Sequence, residues 1–171
     1  MKSEEIFDIV DETGRKLGEA ARADVHGDPR LIHRSVHVLV LNSKGELYLQ
    51  KRAENKDIQP GKWDTSVGGH VDRGEDVEAA ARREAREELG ISGTPFEFLH
   101  SYIWRTKVET ELVTTYLCRY DGPIVLDRSE ISAGEFRTFE KIEENLGRDF
   151  FTPNFEEEFS RLKEYFQNKG D

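Results

Sequence analysis

The chain has 171 residues, with 25 basic against 35 acidic side chains and a formal net charge of −10. That length suits a single domain, 1–171, with a core of its own, and the acidic balance argues against a nucleic-acid polymer or an anionic membrane as partner, since both demand basic surface. The one cysteine, Cys118, reads as a buried small residue in a reducing compartment, and the start MKSEEIFDIV is charged too early for a signal peptide, so a cytoplasmic protein without a membrane span is expected.

In chain order, Ile6 to Val10 and Leu17 to Ala21 read as a hairpin around Asp11-Glu12-Thr13-Gly14. Gly27-Asp28-Pro29 breaks the chain. His33 to Leu41 is strand-like, Asn42-Ser43-Lys44-Gly45 is a hairpin turn, and Glu46 to Lys51 returns as its partner. Pro60-Gly61 turns into a short strand from Trp63 to Val67, which feeds a flexible loop marked by Gly68, Gly69 and Gly74. Phe96 to Arg105 and Leu112 to Tyr120 read as two further strands, Gly134 to Phe139 as a last short one, and Glu140 to Leu146 as a short helix. Phe155, Phe159, Leu162 and Phe166 recur at i, i+4, i+7 and i+11, which predicts an amphipathic helix packed on the core. The pattern predicts an α/β (α+β) domain, a mixed β-sheet with helices on both sides.

The stretch GHVDRGEDVEAAARREAREELGI, residues 69–91, carries the chemistry. Acidic Glu75 and Asp76 suit a first helical turn and Gly90 a stop, so a helix from Glu75 to Leu89 is expected. At about 100° per residue, Val77, Ala81, Ala85 and Leu89 form an apolar row, Arg82, Arg83 and Arg86 fan across the opposite side, and Glu84, Glu87 and Glu88 lie at the rim of the buried face. Like charges three and four apart cost about 0.2–0.5 kcal/mol per pair, and a divalent cation reverses the sign. Two accounts follow: a magnesium–pyrophosphate platform, because hard cations take carboxylate oxygens and share themselves with substrate phosphates, or a solvated acidic face with Arg83 paired to Glu87.

The full spacing separates them. Gly69, Glu75, Arg83, Glu84, Ala85, Glu87, Glu88, Gly90 and Ile91 fill every fixed position of the Nudix box, with Ala85 a small choice at its apolar slot. The chain therefore resembles a Nudix hydrolase. The resemblance implies an α/β/α sandwich and a pyrophosphohydrolase that cleaves a diphosphate linkage in a small-molecule substrate. It implies magnesium, with manganese as the alternative ion, held by Glu84, Glu87 and Glu88 with a ligand from the Gly69 carbonyl, and Arg83 orienting a box glutamate. Glu87 is the first candidate for the general base, with Glu130 or Glu135 as alternatives. Arg52, ending the Gln50-Lys51-Arg52 strand, either neutralises substrate phosphate or is an exposed strand end; Trp63 either stacks a base or prenyl chain or packs. Nudix relatives are often homodimers, and the hairpin from Ile6 to Ala21 is the candidate exchange element.

A second constellation narrows the subgroup. Leu31 to Arg52 followed by Pro60 to His70 looks like the branch of the superfamily related to type 1 isopentenyl-diphosphate isomerase, in which three histidines and two glutamates hold a metal. The matching positions are His26, His33, His70, Glu109 and Glu111, all of the right type, and Glu109 and Glu111 would project to one face of a strand. Each histidine also has a structural account: His37 as a packed residue, His26 and His33 as loop and strand-end hydrogen bonders. The isomerase needs a cysteine two residues before the histidine matched by His70, and this chain has Gly68 there, with Cys118 far away in sequence. Three functions remain: a diphosphate hydrolase acting on a nucleoside diphosphate derivative or similar small molecule, an isomerase-like enzyme, and a non-catalytic diphosphate sensor.

Overall fold

The run IHRSVHVLVL forms a ten-residue strand, β3 (Ile32–Leu41). In the computed structural model, which describes residues 5–56 and 58–170, it is the hub of a mixed sheet. It pairs antiparallel with β1 (Ile6–Val10), β4 (Leu47–Arg52) and β6 (Val67–His70), and parallel with β8 (Thr110–Arg119). The hairpin partner of β1 is β2 (Lys16–Ala21), an edge strand. β7 (Phe96–Arg105) pairs with β8, while β5 (Trp63–Asp64) and β9 (Ile131–Arg137) pair with β4. The charged start at residues 1–4 lies outside the described residues.

Alternation along β3 builds two cores, because successive side chains leave opposite faces of a strand. Val36, Val38 and Val40 meet Ala81, Ala85 and Leu89 of α2 (Val77–Leu89). Leu39 and Leu41 meet Phe155, Phe159 and Leu162 of α4 (Pro153–Asn168). Truncating one of these buried phenylalanines to alanine costs roughly 3–5 kcal/mol. The α/β/α layering expected from the pattern is what these two cores produce. On the α4 face, however, β3 is apolar only at its C-terminal half; its N-terminal half presents His33, Ser35 and His37, so a polar site opens there.

Several boundaries differ from the sequence expectation, each for a local reason. Helix α2 begins at Val77, not Glu75, because Asp76 is its cap, accepting a hydrogen bond from Ala79 N at 3.1 Å. Gly68 and Gly69 are not a flexible loop: they are the middle of β6, opposite His37 and Val36 of β3. The single strand expected from Trp63 to Val67 is thus two, β5 and β6. Strand β9 starts three residues earlier than expected, and Thr138 caps α3 (Phe139–Glu144), so Phe139 belongs to the helix. One helical turn, α1 (Arg22–Val25), has no periodic signal and was not foreseen. Cys118 is free and buried, as expected. No helix among the described residues is long and apolar enough to cross a membrane.

Candidate active site

The box helix delivers its carboxylates to β6. Glycine at 69 is needed for close approach: a Cβ built there would lie 2.2 Å from Cδ of Glu84 and 2.5 and 2.6 Å from its two oxygens. Glu84 therefore sits flat on bare backbone. Glu88 is buried; its Oε1 accepts from Gln50 Nε2 at 2.9 Å and its Oε2 from Gly68 N at 3.3 Å. Burial pushes the Glu88 carboxyl well above the ordinary range, and Glu84 upward too, against the pull of Arg83. Glu87 is the open member, its side chain 54% exposed.

Arg83 organises the group. Expected to fan outward beside Arg82 and Arg86, it instead folds back, with its side chain 22% exposed. Its Nε and one amino nitrogen grip Glu75 at 2.8 and 3.0 Å, that same nitrogen reaches the His70 carbonyl at 3.0 Å, and the other bonds Glu84 at 2.8 Å. The Glu87 contact, the i,i+4 pair anticipated from sequence, is the longest of its hydrogen bonds at 3.3 Å. The guanidinium is held above its already high range by Glu75 first and Glu84 next, and this bidentate fork suits a planar donor.

The second constellation also assembles. The ligating atoms of His26, His33, His70 and Glu109 all lie within 4.8 Å of one another. Glu111 lies 3.7 Å from His33 Nε2 and 3.9 Å from His70 Nε2. Individual hydrogen bonding does not account for them: His26 Nε2, His33 Nε2 and Glu109 Oε2 are buried without a hydrogen-bond partner, although His26 and Glu109 approach to 2.9 Å. Burial, then the neighbouring imidazoles, drive His33 down to about 4 and His70 well below its usual value. Burial raises Glu111 to about 7, with Glu109 adding to the shift. Neutral imidazoles beside crowded carboxylates are a donor set that a divalent metal would complete.

Both groups open into one cavity of about 1350 Å³. Arg52 lines it, its Nε donating to the Ile58 carbonyl at 3.0 Å and its guanidinium 3.4 Å from Asp64. Of the alternative bases, Glu130 lines the cavity and pairs with Lys56, whereas Glu135 does not line it and accepts from Arg137 Nε at 2.7 Å. Trp63 does not reach the cavity either: it stacks on Phe150 beneath the Arg137 guanidinium, so it packs. The aromatic that does line the cavity is Trp104, set opposite Glu111 in the β7–β8 ladder. Sequence reasoning passed over it because its strand carries no motif.

Glu158 was missed as well. It is fully buried on the inner face of α4, where it accepts from His37, His100, Tyr102 and Thr115. A charge among Phe155, Phe159 and Leu162 was the signal available. At the position where the isomerase resemblance requires a cysteine, Gly68 leaves the His37 ring exposed to the cavity: a Cβ there would meet His37 Cδ2 at 3.4 Å.

The NUDIX domain family model matches residues 31–159. An uncharacterized Nudix hydrolase of Yersinia pestis is 35% identical over 150 residues, covering 88% of this chain and 81% of its own. A protein of Photorhabdus laumondii named isopentenyl-diphosphate Delta-isomerase 1 is 32% identical over 163 residues, covering 90% and 92%. A solved structure from Deinococcus radiodurans superposes with a TM-score of 0.80 at 29% identity, covering 92% of this chain and 98% of that one.

Proposed function

The chain belongs to the Nudix family and is a Nudix-type pyrophosphohydrolase, and on that premise we propose that it uses magnesium, or manganese, to cleave a diphosphate linkage in a nucleoside diphosphate derivative or a similar small molecule. The observation that carries this is the seating of Glu84 and Glu88 against Gly69 and Gly68 beside open Glu87. Two carboxyls whose charged forms burial disfavours, with a third at the cavity wall, are brought back to charge by a divalent cation.

Glu84, Glu87 and Glu88, with the Gly69 carbonyl, are the residues that would hold it. A divalent ion held there would supply the charge that polarises the diphosphate and acidifies a water. Glu87, the accessible carboxylate, takes the proton as the water oxygen bonds to phosphorus and the bridging P–O bond breaks. Arg83 holds Glu84 through one amino nitrogen while its fork grips Glu75, and Arg52, on the cavity wall, offsets phosphate charge. The direct test is metal-dependent phosphate release over nucleoside di- and triphosphates, nucleotide sugars, dinucleotides and prenyl diphosphates, in wild type and Glu87→Gln. Release that vanishes in the variant supports the assignment; wild-type rates in the variant refute it.

A second reading has its own observation. The convergence of His26, His33, His70, Glu109 and Glu111 fits a second metal, and the relative named an isomerase shares most of the chain. Gly68 opposes isomerase chemistry, because the position supplies no side chain to exchange a proton with a double bond.

A further inference from the structure

His37 is a polar group of this cavity to which neither metal constellation gives a task. It lies on β3 between Gly68 of β6 and Thr115 of β8, and it lines the cavity floor. Its Nδ1 is 2.8 Å from Oε1 of Glu158. That oxygen also receives Tyr102 OH at 2.7 Å and Thr115 Oγ1 at 2.5 Å, and the other receives His100 Nε2 at 2.9 Å. Tyr102 OH in turn accepts from Asn154 Nδ2 at 3.0 Å, so its own proton points at Glu158.

Tyr102 and Thr115 both donate to this buried carboxyl, and an ionised acceptor lets both imidazoles donate as well. Burial works to raise the Glu158 carboxyl, but the bonds from His100, His37 and Thr115 outweigh it and hold the group well below the usual range. Nδ1 of His37 must then carry its proton, which fixes the ring orientation and leaves Nε2 as the free edge. Among the described residues Nε2 has no hydrogen-bond partner. It would stand 3.7 Å from a Cβ on Gly68, and the Gly68 N–H is the one that meets Glu88. The open edge of the ring is therefore one backbone residue from the box carboxylates.

Core stability alone does not explain the arrangement. A buried ion pair replaced together with its partners is often matched or bettered by apolar residues of similar volume, and Glu158 shares the buried face of α4 with Phe155, Phe159 and Leu162. What an apolar residue could not do is aim an imidazole.

We propose that His37 is a further substrate-contacting residue, its Nε2 edge hydrogen-bonding the diphosphate of the ligand, and that Glu158 is the positioning residue that holds the ring for it. This rests on the reading of the cavity as a diphosphate site. Burial opposes charge on the ring, but the hydrogen bond and charge of Glu158 outweigh it and favour the imidazolium, which donates from both nitrogens; Asp64 and Glu111 act in the same sense as Glu158.

The test is His37→Asn, whose amide keeps a donor near the Nδ1 position for Glu158 and deletes the edge that faces the cavity. Affinity for magnesium pyrophosphate is measured by calorimetry, and kcat and KM on the best substrate of the panel. Loss of a charge-assisted contact predicts binding weaker by about tenfold or more, in a variant that is less stable than wild type but folded at the assay temperature. In wild type, the nitrogen-15 resonance of His37 Nε2 should move when magnesium pyrophosphate is added, and a folded Glu158→Gln should weaken pyrophosphate affinity and shrink that movement, which a carboxylate serving stability alone would not. Unchanged affinity in a folded His37→Asn, an unmoved Nε2 resonance, or a wild type that does not bind pyrophosphate overturns the proposal; should His37→Asn fail to fold, the wild-type resonance decides. Pyrophosphate bound through His37 without turnover of any substrate leaves this inference standing and refutes the hydrolytic assignment. Turnover that is indifferent to His37 does the reverse.

Discussion

Gly69→Ala isolates the contact on which the proposed metal platform depends. Gly69 lies in a strand with ordinary backbone angles, so alanine meets no conformational strain, and its whole effect is steric. The added methyl would sit 2.2 Å from Glu84 Cδ, and ordinary carbon–carbon contact begins near 3.5 Å, so the carboxylate must retreat by roughly 1 Å or more. The atoms displaced are the end of a flexible side chain, which can swing while the backbone stays put. The fold should survive at a cost of about 1–3 kcal/mol, the usual range for inserting a methyl into a packed site. Activity should suffer far more, because a misplacement of about 1 Å in a catalytic group can cost on the order of 100-fold. Thermal unfolding and steady-state metal-dependent phosphate release on the same preparation separate the two effects. A folded Gly69→Ala with wild-type kcat would show that Glu84 need not lie on the strand, and the platform would have to be redrawn.

Arg83→Lys keeps the charge and loses the fork to Glu75 and Glu84; at roughly 1.5–3 kcal/mol for a charge-assisted bond, kcat should fall about 10- to 100-fold, and an unchanged kcat would reduce Arg83 to a surface pair. Elemental analysis of gently purified protein should find a metal that His33→Ala loses, whereas metal-free wild type would remove the second site. Glu158 has a depressed folded-state pKa, so the stability it contributes is fully present above the ordinary carboxylate value of 4.5 and is lost as pH falls through its lower folded value; urea unfolding of wild type against Glu158→Gln should converge in acid, and a difference that stays constant with pH would contradict this. Glu87→Gln should abolish turnover while shifting stability by no more than about 0.5 kcal/mol, since the side chain is half exposed; circular dichroism melting checks the second half.

By itself the sequence determined the periodic elements and the identity of the chemistry. The apolar row Val77, Ala81, Ala85 and Leu89 called for a helix packed on a sheet, and the spacing of Gly69, Glu75, Arg83, Glu84, Glu87 and Glu88 marked the family. Those signals are local, carried by residues a few positions apart, and local order survives in a string. Tertiary structure alone decided which distant residues meet. Arg83 chose Glu75 over the solvent because β6 closes the space around it; Glu135 fell outside the cavity on β9, and Trp63 did so because successive side chains of β5 leave opposite faces, so that Asp64 lines the cavity and Trp63 does not. His37 and Glu158, 121 positions apart, became partners only when α4 packed across the face of β3. A sheet whose neighbours are set by register and crossover brings together side chains whose separation along the chain carries no information about their separation in space, which is why the motif could be read and the dyad could not.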